Sequence, residues 1–230
     1  MKIDIWSDVA CPFCYIGKRH LEAALEQFPN SKDVQVTWHS FELDPSAKTE
    51  YEEDHYQLLA NKYGMSREQA EANSERVSAS GKAVGIDFDF DKVKHTNTFN
   101  AHRLIQLAHK EGKQDEMEER LFKAYFTEGK HIGDPAVLQT IAAEAGLDAS
   151  SLFNGNAFTD EVRKDEAEAQ GLNIRGVPFF VFDMKYAISG AQPVDVFTQT
   201  LQKVWEENHP KNITPVGGEG GVCEDGACNV

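Results

Sequence analysis

The sequence predicts an α/β fold in which two strand-bearing segments flank a large all-helical insertion. Three observations carry that prediction. A strand, a helix and a second strand fill about the first 40 residues. Helical periodicity then runs with almost no strand signal from Glu50 to Gln170, and alternating strand character returns at Pro178 before a last helix.

Lys2-Ile3-Asp4-Ile5-Trp6 alternates polar and apolar residues, the period of two of a half-buried strand, and Ser7-Asp8 supplies turn or capping chemistry. From Cys14 to Phe28 the residues Tyr15, Ile16, His20, Leu21, Ala24, Leu25 and Phe28 recur at helical spacing, and Pro29-Asn30 stops the run. Val34 to Phe41 alternates again until Asp44-Pro45 breaks it. Such a βαβ unit predicts two parallel strands joined by a right-handed crossover.

Six helices follow, each closed by a glycine: His55 to Tyr63, Arg67 to Val84, Thr98 to Lys110, Gln114 to Thr127, Pro135 to Ala145 and Thr159 to Gln170. Ser78, Ser80 and Gly81 weaken the end of the second, while Asp134 and Pro135 are well suited to cap and open the fifth. Pro178 to Phe182 and Tyr186 to Ser189 read as a hairpin, and Val194 to Glu207 as a helix presenting Phe197, Leu201, Val204 and Trp205. The chain thus divides into a first α/β part (1–49), the helical insertion (50–170), a second α/β part (171–208) and a flexible, glycine-rich tail (209–230).

The 230 residues carry 23 Lys+Arg against 38 Asp+Glu, so the formal charge is 23 − 38 = −15. That balance argues against nucleic-acid partners, which call for a basic face, and against anionic membrane surfaces. Acids at Asp4 and Asp8 interrupt the apolar run a secretory signal needs, and no stretch approaches the ~20 apolar residues of a membrane span, so a cytoplasmic location is expected.

The four cysteines fall in two close pairs, Cys11/Cys14 and Cys223/Cys228. In a cytoplasmic chain of this length a stabilising disulfide framework is not expected, which leaves catalysis or metal binding. Cys11-Pro12-Phe13-Cys14 lies where a strand gives way to a helix. There the helix dipole and free backbone N–H groups favour a thiolate, and Pro12 suits the first helical turn. Cys11, near solvent, is the predicted nucleophile; Cys14, one turn in and more buried, resolves the mixed disulfide. The alternative is zinc, since the two pairs supply four sulfurs; the strand-to-helix setting favours redox chemistry and no metal. Gly176-Val177-Pro178 places a proline where a strand begins, a position proline tolerates for backbone reasons alone.

Asp8-Val9-Ala10-Cys11-Pro12-Phe13-Cys14-Tyr15, Asn97-Thr98-Phe99-Asn100-Ala101-His102-Arg103-Leu104 and Gly171-Leu172-Asn173-Ile174-Arg175-Gly176-Val177-Pro178-Phe179-Phe180 together resemble the DsbA-like thioredoxin-fold proteins, in particular the FrnE branch. The resemblance spans the chain. It implies a thioredoxin-like fold carrying the helical insertion, and a thiol–disulfide oxidoreductase or isomerase acting on protein thiols and disulfides. It further implies that Pro178 is a cis-proline facing Cys11 and Cys14, that its loop binds a substrate segment by strand addition through Val177, and that Pro12 and Phe13 also contact substrate. Cys223/Cys228 is similar to the C-terminal pair of that branch, which implies an auxiliary relay; the Asp225-Gly226 turn lets the two cysteines meet. Periplasmic members typically place histidine next to the second cysteine. Phe13 stands there in this chain, predicting a weaker oxidant.

The same resemblance reaches the kappa-class glutathione transferases and 2-hydroxychromene-2-carboxylate isomerases, in which serine commonly replaces the first cysteine. Two cysteines favour dithiol chemistry with no cofactor, glutathione remaining an alternative reductant or co-substrate. A third reading is a chaperone-like polypeptide-binding module without turnover. The protein is expected as a monomer or homodimer. Of the weaker signals, His102-Arg103 reads as an exposed or interdomain pair, Phe88, Phe90, Phe122, Tyr125 and Phe126 as core, and the acid runs 50–54 and 115–119 as solvated faces or helix N-terminal charge.

Overall fold

The computed structural model describes residues 1–210 together with two short strands at 222–224 and 227–229. Strand β1 (Lys2–Ser7) pairs in parallel with β2 (Gln35–Ser40), Ile3 opposite Val36 and Ile5 opposite Trp38, and helix α1 (Pro12–Gln27) connects them. On its other side β1 pairs antiparallel with β3 (Phe179–Phe182), which forms an antiparallel hairpin with β4 (Tyr186–Ser189). The mixed sheet therefore runs β2-β1-β3-β4. Between β2 and β3 lie α2 (His55–Tyr63), α3 (Arg67–Lys82), α4 (Phe99–Lys110), α5 (Gln114–Phe126), α6 (Pro135–Glu144) and α7 (Thr159–Gly171); α8 (Val194–Asn208) follows the hairpin. This is the thioredoxin-like α/β fold with its helical insertion.

The core explains the order. Ile3, Ile5, Leu21, Phe180, Phe182, Phe197, Leu201 and Val204 form one buried cluster joining β1 and β3 to α1 and α8. Trp6, Ala169, Ile174 and Val181 form another, with α7 laid on the opposite face of the sheet. At ~1.5–3 kcal/mol per large apolar side chain, these two faces hold the sheet between helices. The largest cluster belongs to the insertion, with Leu104, Ile105, Met117, Leu121, Phe122, Tyr125, Phe126, Leu138 and Ile141, yet it also takes in Val9, Cys11, Cys14, Tyr15 and Ile16. The start of α1 is thus packed into the insertion.

Several expectations change. β1 is not half-buried: Asp4, on the face that alternation assigns to solvent, is buried under α7. His39 Nε2 at 2.8 Å and Lys2 Nζ at 2.7 Å from Asp4 Oδ1 compensate that burial. α1 begins at Pro12 rather than Cys14, because Cys11 is its N-cap in extended conformation. α3 ends at Lys82, where a Cβ on Gly81 would collide with the Phe88 ring, so the weak helix former is needed for close packing. β3 begins at Phe179, since Pro178 has no N–H to give a ladder; its carbonyl accepts from Gly190 N–H at 2.8 Å. Phe88, Phe90, Phe122, Tyr125 and Phe126 are core, as expected.

His102 and Arg103 are both buried, not exposed; of the two alternatives, the contact between the insertion and the α/β part holds for His102, whose Nε2 lies 3.5 Å from Asp8 Oδ1. The Arg103 guanidinium donates to the carbonyls of Leu152, Gly155 and Ala157, fastening the segment between α6 and α7. Glu118, in an acid run expected to be solvated, is buried as well, while Glu119 pairs with Arg19 and accepts from the Tyr15 hydroxyl. In the C-terminal region, strands β5 (Val222–Glu224) and β6 (Ala227–Asn229) pair antiparallel with Cys223 opposite Cys228. The flexible arm and the relay expected of these two cysteines lie outside the described residues.

Candidate active site

Cys11 sits at the junction the sequence indicated, between β1 and α1. Its N–H donates to the Asp8 carbonyl at 2.9 Å and its own carbonyl accepts from Cys14 N–H at 3.1 Å, closing the first turn with Pro12 at the helix's first position. The Cys11 residue is 4% exposed, so it is less open than expected: Val9 and Tyr15 of its own segment and the helices of the insertion pack around it. Its Sγ lies 3.6 Å from the Val177 carbonyl oxygen. The Val177–Pro178 peptide is cis. Cys14 is fully buried; burial, and then the neighbouring Cys11, push its thiol well above the ordinary cysteine range.

A cleft of about 740 Å³ opens beside the dithiol, with Cys11, Pro12, Phe13 and Val177 in its wall. Its mouth carries Phe13, Leu43 and Tyr63, 47%, 45% and 63% exposed. Deeper, Phe90, Tyr125 and Phe126 supply apolar surface. Lys48 and Lys62 stand in the wall, Lys62 paired with Asp44 at 3.0 Å.

One wall holds a histidine pair. His55 and His95 share a hydrogen bond at 2.9 Å between Nδ1 and Nε2, and His55 Nε2 lies 3.1 Å from Ser74 Oγ. Burial, and for His55 the adjacent His95, lower their pKa values to about 3 and about 4. Both rings are neutral at physiological pH, one donating to the other.

Beneath the dithiol is a second polar cluster. Asp8 is 2% exposed; its Oδ1 accepts from Ala10 N–H at 3.1 Å and its Oδ2 from Leu43 N–H at 2.8 Å. His102 Nε2, from α4, approaches Asp8 Oδ1 to 3.5 Å. Burial raises the Glu118 pKa to about 8. It also raises that of Glu42, which accepts from Arg163 at 2.7 Å and from Asn97 at 3.2 Å.

The sequence model of the DSBA-like thioredoxin domain family matches residues 2–202. The chain belongs to that family. It is 30% identical over 204 residues to the YwbO protein of Bacillus subtilis (strain 168), covering 86% of this chain and 94% of that one. A probable DsbA oxidoreductase from Streptomyces coelicolor superposes with a TM-score of 0.87 and 38% identity, over 100% of this chain and 99% of that one. The cytosolic disulfide reductase DsbM of Pseudomonas aeruginosa (18% identity, TM-score 0.61, 90% of this chain and 100% of that one) shares the fold. So does a 2-hydroxychromene-2-carboxylate isomerase (14%, 0.66, 90% and 98%).

In this DSBA-like chain, then, Cys11, Pro12, Phe13 and Val177 meet in one cleft wall, from two segments more than 160 positions apart, with Cys14 buried behind Cys11 and Pro178 next to Val177 in the chain. Sequence reasoning missed the polar floor and the histidine pair. The signal for the floor was present in Asp8 and the His102 stretch, but nothing local to α4 says that it faces the β1–α1 loop. Among the described residues, His39, Asp165 and Glu168 bring three candidate metal-ligand atoms within 4.8 Å of one another. Both His39 nitrogens are already engaged, with Asp4 and Asp165 at 2.8 and 2.9 Å, so the group reads as a structural network. No helix of the described residues is long and apolar enough to cross a membrane.

Proposed function

We propose that this member of the DSBA-like family is a cytoplasmic thiol–disulfide oxidoreductase or isomerase whose substrates are cysteines in polypeptides. Cys11 attacks a substrate disulfide, forming a mixed disulfide. Cys14 then gives up its proton to the departing substrate sulfur as its own sulfur attacks Cys11 Sγ, so the dithiol is oxidised as the substrate is reduced; the reverse sequence oxidises a substrate dithiol. The observation that carries this reading is Cys11 Sγ on the wall of an open cleft, 3.6 Å from the Val177 carbonyl. That backbone and the apolar mouth formed by Phe13, Leu43 and Tyr63 suit an extended chain better than a compact metabolite. The pair Cys223/Cys228 is proposed to exchange with this dithiol, and a mixed disulfide trapped between the two pairs in a Cys14→Ser variant would establish it.

Insulin reduction and refolding of scrambled ribonuclease test the main reading. Cys11→Ser is expected to abolish both, and Cys14→Ser to accumulate mixed disulfides; a protein that holds unfolded chains without turnover would do neither. A second reading, with glutathione as reductant or co-substrate, is favoured by the cleft's size and by Lys48 and Lys62 in its wall. Conjugation of an electrophile to glutathione that survives Cys14→Ala would support it.

A further inference from the structure

His102 makes no hydrogen bond among the described residues at either ring nitrogen, and it is 1% exposed. A buried polar group in that state calls for an explanation. The titratable groups facing it come from three other elements: Asp8 from the β1–α1 loop, Glu118 from α5 and Glu42 from the segment after β2. Burial opposes the imidazolium, but Asp8 first, with Glu42 and with Glu118 once it ionises, outweighs it and holds the proton above the ordinary histidine range.

Asp8 is the link to the sulfur. Its carbonyl receives the Cys11 N–H and its side-chain oxygens receive the N–H groups of Ala10 and Leu43, so it fixes the loop that presents Cys11. A carboxylate with no cation beside it there would oppose further negative charge on the dithiol. With His102 protonated, the floor is balanced.

We propose that His102, a positioning residue supplied by the helical insertion, sets the redox poise of the Cys11–Cys14 pair through Asp8, taking the place of the cation that the motif itself lacks at Phe13. The inference rests on the dithiol reading above. In the exchange, Cys11 and Cys14 together lose two electrons and two protons as their S–S bond forms. Glutathione disulfide gains both as its own bond breaks, giving two thiols. His102 is not consumed. It favours the reduced side, on which a sulfur can carry negative charge, over the neutral disulfide.

Equilibration of the full chain with reduced and oxidised glutathione reads this directly. His102→Gln is expected to shift the equilibrium about tenfold toward the protein disulfide, equivalent to about 30 mV for a two-electron couple. Asp8→Asn is expected to shift it the other way, and the double variant to return within about threefold of wild type. Because coupling is reciprocal, the His102 imidazole of the wild-type protein should release its proton at a higher pH in the dithiol form than in the disulfide form, read by NMR without any substitution. Identical His102 titration in the two forms would overturn the inference, as would an unmoved equilibrium in a folded His102→Gln protein. A wild-type pair that never forms a disulfide against glutathione would instead remove the dithiol reading and this inference with it.

Discussion

Gly17 of α1 lies directly against Pro178: a Cβ added at Gly17 would stand 3.1 Å from Pro178 Cγ and 3.0 Å from Phe180 Cζ. The glycine lets the active-site helix approach the Val177–Pro178 loop closely. Replacing it with alanine gains roughly 0.5–1 kcal/mol of helix propensity, but crowding a packed core costs ~1–3 kcal/mol. Phe180 is fully buried between sheet and helices and has nowhere to move, so the steric term wins. Gly17→Ala is expected to lower stability by about 1 kcal/mol and to slow disulfide exchange by shifting the Val177–Pro178 segment whose Val177 carbonyl lies against Cys11 Sγ. Thermal unfolding and stopped-flow exchange check it; an alanine variant as stable and as fast as wild type would contradict this packing.

Glu118 gives a pH dependence of definite sign. Its carboxyl is held at about 8 in the folded protein against an ordinary 4.5, so between those values the folded state keeps a proton that the unfolded state has lost. Stability from this group is complete below 4.5 and is lost as pH rises toward 8. At about 1.4 kcal/mol per pH unit the whole interval is at most ~5 kcal/mol, and relaxation of the buried site will reduce it to a few. Glu118→Gln should therefore be near neutral at pH 5 and stabilising at pH 8.5. Melting temperatures of both proteins at the two pH values decide it, an equal difference at both being the contrary result.

What the sequence made legible is what repeats locally. The change of period from two to 3.6 around Cys11, the glycines closing α2, α4, α5 and α6, and the Asp134-Pro135 start of α6 are all visible in a window of a few residues. The cysteine motif with Val177-Pro178 marked the site for the same reason. The polar residues of α4 were not legible. His102, Arg103 and Gln106 look like a solvent face, yet all three are buried, and their partners lie far away in the chain: Asp8, the carbonyls of 152–157, and Ser40 with Asp165. No periodicity encodes a partner that distant. Asp4 misled in the same way, since only α7, more than 150 residues later, turns its outward face into an inward one.

The histidine pair in the cleft predicts the opposite trend in acid. His55 and His95 stay neutral in the folded protein down to about 3 and about 4, whereas in the unfolded chain they gain protons near 6.5. Stability from them is therefore complete above 6.5 and is lost as pH falls toward 4. His95→Gln is expected to cost about 1 kcal/mol at pH 7.5, where it breaks the 2.9 Å bond to His55. By pH 4.5 that difference should vanish or reverse, because the variant has one fewer histidine to protonate on unfolding. Urea unfolding at the two pH values tests it, and a variant whose deficit is unchanged or grows in acid would show that the pair is not buried in neutral form.

The cleft's mouth bears on substrate choice. Phe13, Leu43 and Tyr63 expose apolar surface around the entrance to Cys11, and only a substrate extending beyond its own cysteine can cover all of it. Removing two of these patches by Leu43→Ser with Tyr63→Ser forfeits ~1–2 kcal/mol of contact per side chain for a bound polypeptide, at ~25 cal/mol per Å² of apolar area covered. A small disulfide that reaches only Cys11 and Val177 loses much less. The ratio of kcat/KM for a scrambled, disulfide-bonded protein to that for a small aromatic disulfide should fall at least tenfold in the double variant, chiefly through KM. If the ratio holds, the mouth is not where polypeptide binds, and the cleft interior with Lys48 and Lys62 becomes the better account of what the dithiol meets.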